Sequence, residues 1–212
     1  MTSVHPGVRR TTSPAYRWVV LAMSWAAFTM TSVDRSTWGP ASAAVSDSLG
    51  VPLAALGVFA TGYYLGYVVS NAGGGVLTDW LGPRRVLAAS GAAAGLAMIA
   101  FGSSTSLAVG LALQAAVGLF AGVDYAAGLK LISVWFEPGE HGLAAGVFMT
   151  ATSLGTVIAN AVVPSLIAAS GWGTSYHVFG ATTVGIALLC LLLVRNGSAQ
   201  TPAGPRAMPD VR

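Results

Sequence analysis

The chain is 212 residues long, 54% hydrophobic and only 8% charged, with a formal net charge of +3. A soluble domain carries about 25% charged residues, so a water-soluble globular fold is excluded and the composition reads as an integral membrane protein. The positive charge comes from arginines set beside apolar runs, which is membrane topology and excludes a nucleic-acid footprint.

Residues 1–16 are polar, include Pro6 and Pro14, and are expected to be a disordered cytoplasmic N-terminus. The first apolar run follows Arg9, Arg10 and Arg17 without a small-residue cleavage site, so it reads as a retained span rather than a signal peptide. Six spans are expected within a bundle over 17–195: Trp18 to Ala41, Leu53 to Leu77, Val86 to Gly102, Leu107 to Leu131, Gly142 to Ala168 and Tyr176 to Val194. Trp135 and Phe136 fall at an interface. Residues 196–212, rich in Pro, Gly, Ala and Ser, read as a disordered cytoplasmic tail. The lone Cys190 sits in an apolar run, which rules out a disulfide within the chain.

With six spans, Arg9, Arg10, Arg17, Arg84, Arg85, Arg195, Arg206 and Arg212 share one side, and only Arg35 lies toward the other. Basic loops stay cytoplasmic, so both termini are expected there, in a multi-pass protein of the cell membrane. Glycines recur four residues apart as Gly62/Gly66, Gly91/Gly95, Gly118/Gly122 and Gly142/Gly146, a spacing that lets helices approach closely.

Polar residues inside the spans are the candidates for function. Asp34 and Arg35 lie toward the outer end of span 1, with Asp34 about 24 Å from Trp18 along the axis. A charge at the bilayer centre costs at least about 2.5–3.5 kcal/mol. The two either sit in the outer headgroups or line a cavity entrance. Tyr63, Tyr67 and Asn71 share one face of span 2 near the midplane, facing either a cavity or buried partners. Asp124, in the inner half of span 4, either pairs with Lys130 or Arg84 or carries a proton. Lys130 alternatively snorkels to the cytoplasmic interface. Met149, Ser153, Thr156 and Asn160 share a face of span 5. Their hydroxyls either bond their own helix or line a path, and Pro164 reads as a kink. The sequence has no Gly-x-x-x-x-Gly-Lys loop, and His5, His141 and His177 are too scattered to hold a metal. Ala88-Ala89-Ser90-Gly91 lacks a nucleophile-turn glycine. Neither an enzyme, a metal site nor a cofactor is expected.

The loop between spans 2 and 3 reads Gly75-x-Leu77-x-Asp79-x-x-Gly82-x-Arg84-Arg85. It resembles the loop 2–3 signature of the major facilitator superfamily, with Trp80 where a basic residue is usual. Asp34-Arg35, Gly57 and Gly62–Gly66 resemble the anion:cation symporter branch. Trp135-Phe136 and Glu140-His141-Gly142-Leu143-Ala144-Ala145-Gly146 resemble the span 4–5 junction, with His141 in place of arginine, and Gly171-Trp172 fits before span 6.

The resemblance implies an all-α membrane protein whose six transmembrane helices form two inverted three-helix repeats, half of a major facilitator fold. It implies spans 1 and 4 along the path, spans 3 and 6 outside, and Asp79 as a cytoplasmic latch against the opposite half. Residues Gly75, Asp79, Gly82, Arg84 and Arg85 form that gate motif. The expected function is secondary transport of a small organic anion, a carboxylate, coupled to protons. The half would pair with itself as a homodimer or with a second six-helix half. The substrate or proton path comprises Asp34, Arg35, Tyr63, Tyr67, Asn71, Asp124, Lys130, Ser153 and Asn160. The alternative is a truncated, non-transporting membrane protein that binds or scaffolds a partner.

Overall fold

A computed structural model describes residues 15–52 and 56–197. Among these residues the chain is six long helices: α1 (Tyr16–Leu49), α2 (Gly57–Leu81), α3 (Pro83–Gly102), α4 (Leu107–Trp135), α5 (His141–Ser170) and α6 (Trp172–Leu193). The expectations for residues 1–14 and 198–212 lie outside the described residues. Asn196, assigned to the tail from sequence, instead accepts a hydrogen bond from the Arg84 backbone N–H at 3.0 Å.

Helices α3 to α6 are long and apolar enough to cross a membrane on length and composition alone. Helices α1 and α2 fall outside that set: α1 carries Asp34, Arg35 and many hydroxyls, and α2 is rich in Gly and Tyr. The largest departure from expectation is α1, which runs past Pro40 to Leu49. Asp34 is therefore in the middle of its helix, with about 22 Å of axis beyond it, and not near the outer end. Proline at position 40 does not stop the helix, nor does Pro164 interrupt α5.

Two of the connections are single glycines. Gly82 joins α2 to α3 with φ +83°, and Gly171 joins α5 to α6 with φ +85°. That backbone region strains any residue with a Cβ, so glycine permits the sharp reversal. Pro83 then opens α3 at a position where its missing N–H costs nothing. Ser106 caps α4, accepting from the Val109 N–H at 3.4 Å.

The helices pack chiefly as α2 along α4, α3 along α6 and α1 along α5, with α3 against α4 and α1 against α6. Glycine makes these approaches possible. A Cβ on Gly66 would strike the Ala115 carbonyl and the Leu119 N–H, and one on Gly155 would strike the Thr29 carbonyl and the Val33 N–H. Gly95 and Gly180 each face the other's carbonyl at 2.6 Å from the Cβ position. The Gly142/Gly146 pair, by contrast, has nothing within 4 Å and packs no helix. The close contact of α5 is carried by the isolated Gly155 instead.

Aromatic layers close both ends. Trp38, Phe59, Phe101, Trp172 and Tyr176 interlock at one, with ring centroids 4.7–6.4 Å apart. At the other, Arg17 bonds Glu140 at 2.6 Å and lies over Trp18 and Phe136, and Trp135 meets Tyr16. Leu65, Val68, Val69, Val157 and Leu192 are more than 60% exposed on the outside of the bundle, as lipid contact or a second bundle requires.

Candidate functional site

The middle of α1 presents two different faces to two different environments. Asp34 is 4% exposed and points at α6, where Thr183 Oγ1 donates to its two oxygens at 3.2 and 3.4 Å. Arg35, one residue on and half-buried, points the other way, into a cleft lined by Phe28, Thr31 and Ser32 of α1, Tyr63 and Tyr67 of α2, and Thr152 of α5. Its guanidinium donates to Ser32 Oγ at 3.3 Å. No carboxylate pairs with it among the described residues. Tyr63 and Tyr67 stack at 6.1 Å, and the Tyr63 hydroxyl is buried without a hydrogen-bond partner. The enclosed space is about 10 Å³, the size of one water.

An unpaired guanidinium and an unsatisfied phenol are both hydrogen-bond donors. A site made of donors, with the positive charge half-desolvated, matches an oxyanion. Ser32 holds this arrangement together, because its own hydroxyl donates to the Thr152 carbonyl at 2.9 Å and so ties Arg35 to α5.

Asp124 is the second buried carboxyl, 2% exposed. Neither Lys130 nor Arg84 pairs with it. Thr31 Oγ1 donates to its Oδ2 at 2.8 Å, and Ser90 Oγ bonds its Oδ1. Lys130 instead meets Asp79 at 2.9 Å on the exposed end of the bundle. The two line a cavity of about 310 Å³ between α2 and α4, with Gly75, Thr78, Ala126, Leu129 and Ser133. Arg84 caps the end of α6, donating to the Leu191 carbonyl at 2.9 and 2.5 Å. Arg85 is exposed.

The span 5 stripe lies outside the Arg35 cleft. Asn160 donates to the Thr156 carbonyl at 2.8 Å on its own helix, Thr156 meets Ser36 at 3.1 Å, and Ser153 faces outward. Met149 packs on the core. Asn71, half-buried, is also off the cleft. The cleft residue of α5 is Thr152, and the partners of the carboxyls are Thr31, Ser90 and Thr183. Hydroxyl residues are common in these helices, and nothing in their spacing distinguishes a cross-helix partner from one bonding its own backbone.

Residues 24–209 match the family model described as Major Facilitator Superfamily. A probable sulfoacetate transporter, SauU, of Cupriavidus necator is 25% identical over 82% of this chain and 40% of its own. The sodium-dependent phosphate transport protein 1, chloroplastic, of Arabidopsis thaliana is 26% identical over 92% of this chain and 38% of its own. Among solved structures, a bacterial homolog of the human lysosomal transporter Spinster, inward-facing and unoccupied, superposes with a TM-score of 0.82. It is 15% identical over 93% of this chain and 47% of its own. The chain thus spans less than half the length of these relatives. With a matching family model over most of its length and the same fold as a solved carrier, the chain belongs to the Major Facilitator Superfamily, a family of multi-pass membrane transporters rather than enzymes.

Proposed function

We propose that this chain is one six-span half of a proton-coupled carrier for a small organic anion, with Arg35 as the anion contact and Asp124 as the proton-bearing group. The observation that carries the reading is the cleft itself. It joins an Arg35 guanidinium without a carboxylate to a buried Tyr63 hydroxyl without a partner, between helices α1, α2 and α5. Its one-water volume admits no more than a single oxygen of a ligand's charged group, so a facing element supplies the rest of the site. The names of the relatives point the same way: one is named a probable transporter of sulfoacetate, which bears both a carboxylate and a sulfonate, and one a sodium-dependent phosphate transport protein.

Two inverted repeats underlie this half. Exchanging α1–α3 with α4–α6 turns the α1–α5 contact into the α4–α2 contact, and the α3–α4 contact into the α6–α1 contact. Gly66 meets a carbonyl and the N–H four residues on in α4, and Gly155 does the same in α1. Gly66 and Gly155 stand as far apart in sequence as the two connecting glycines, Gly82 and Gly171. Such agreement supports a common three-helix unit. The arginines beside Arg84 and at the start of α1 support cytoplasmic termini in the cell membrane.

Proton-gradient-driven uptake of sulfoacetate into liposomes tests the reading, with the chain alone and with a second six-helix half. Uptake that collapses in Arg35→Ala is expected. A folded chain that moves no anion in either arrangement would favour the scaffold reading.

A further inference from the structure

We infer that the Thr31 hydroxyl is the proton link between the buried Asp124 carboxyl and the Arg35 cleft. The inference rests on the proposed proton coupling and adds to it a route and a positioning residue.

Thr31 is 5% exposed and has contacts on two sides. It lines the cleft beside Arg35 and Tyr63. Its Oγ1 also lies 2.8 Å from Asp124 Oδ2. The same oxygen is 3.3 Å from the Ala27 carbonyl, one turn back on its own helix. A threonine hydroxyl has one proton and two lone pairs, so it cannot donate to both. With Asp124 ionised, Thr31 donates to Oδ2. With Asp124 protonated, the carboxyl O–H donates to Thr31 Oγ1, and the hydroxyl turns to Ala27 or to the cleft. The rotor therefore satisfies either state of the carboxyl without a cation.

The relay follows from those two states. The Asp124 carboxyl passes its proton to Thr31 Oγ1 while the hydroxyl's own proton passes to a water in the cleft. Asp124 is left ionised, Thr31 is left a neutral hydroxyl, and one proton has moved without any oxidation. Ser90 supports Asp124 on its other oxygen, with the Val86 carbonyl at 2.7 Å and the Leu87 carbonyl at 3.3 Å as alternative acceptors. Ser90 does not line the cleft, so it holds the carboxyl and does not conduct. Asp34 of α1, Tyr67 of α2 and Cys190 of α6 are titratable groups close enough to feel the Asp124 charge. Among the described residues Thr31 and Ser90 are the side chains that hydrogen-bond it.

Infrared difference spectroscopy of the full chain in lipid bilayers tests the link without needing a substrate. A carboxyl band that vanishes in Asp124→Asn is assigned to Asp124, and its rate of exchange into heavy water is measured. In Thr31→Val, which keeps the shape and removes the hydroxyl, exchange is expected to slow about tenfold or more. Thr31→Ser, which restores a hydroxyl, is expected to recover it. Exchange as fast in Thr31→Val as in the parent, no recovery in Thr31→Ser, or the absence of any Asp124-dependent band would overturn the inference. A failure of sulfoacetate uptake would instead strike the transport reading and leave the exchange result standing.

Discussion

Lys130 meets Asp79 rather than Asp124, and this decides what each charge is free to do. The Lys130–Asp79 pair is nearly half exposed on one side and more than half on the other, and exposed pairs contribute about 0–1 kcal/mol. Lys130→Ala is therefore expected to move the thermal unfolding midpoint little, by less than the equivalent of about 1 kcal/mol. Among the described residues Asp124 has hydroxyl partners alone, so in the proposed carrier Asp124→Asn is expected to preserve the fold and abolish proton-driven accumulation while leaving anion exchange down its own gradient. Retained accumulation in that variant would remove Asp124 from the proton path. In the proposed carrier Arg35 has the complementary role, that of anion contact. Its Ser32 contact is a single hydrogen bond at 3.3 Å, and losing a charge-assisted bond to an anion costs about 1.5–3 kcal/mol. Arg35→Gln is expected to weaken anion affinity by the corresponding ten- to hundredfold, read as a rise in KM for uptake.

At the scale of the helix, the hydropathy pattern made six helices and a tight loop between the second and third legible, because long apolar runs and turn glycines are local signals. The length of α1 was not legible. The first span is expected to end at Ala41, yet the helix continues to Leu49, and that misplacement put Asp34 near an edge instead of in the centre. Tyr63, Tyr67 and Arg35 were recognisable as candidates from polarity within apolar runs. Thr31, Thr152, Ser90 and Thr183 were not, since their roles arise from partners on other helices. The glycine spacing was equally double-edged: the pairs in α2, α3 and α4 mark real contacts, and Gly142/Gly146 marks none. The packing yields a direct test. In Gly155→Val the side chain would enter the backbone of α1 at Thr29 and Val33. Overpacking of this kind costs about 1–3 kcal/mol, so a clear fall in the unfolding midpoint in detergent is expected, together with loss of the Ser32–Thr152 bond that orients Arg35. Gly142→Val, with open space around it, is expected to leave the midpoint unchanged.

For the whole molecule, the one-water cleft and the apolar outer faces of α2 and α5 belong to the same argument. A carrier needs a wall opposite Arg35, and the exposed Leu65, Val68, Val69 and Val157 need a covering that is either lipid or protein. Mass measurement of the chain in native nanodiscs is expected to find a second bundle beside it, either a copy related by two-fold symmetry or a separate six-helix chain. A population that stays single while Arg35 faces acyl chains would contradict the half-carrier.

The single-glycine elbows at Gly82 and Gly171 leave no slack. One residue reaches about 3.6 Å at most, far less than the thickness of a bilayer. The ends of α2 and α3 that meet at Gly82, and those of α5 and α6 that meet at Gly171, must therefore stand at one depth and cannot slide apart along the membrane normal. A flexible insert of a few residues at either elbow should release that shared depth and lower the unfolding midpoint, whereas the same insert in the Ser103–Ser106 connection should pass unnoticed.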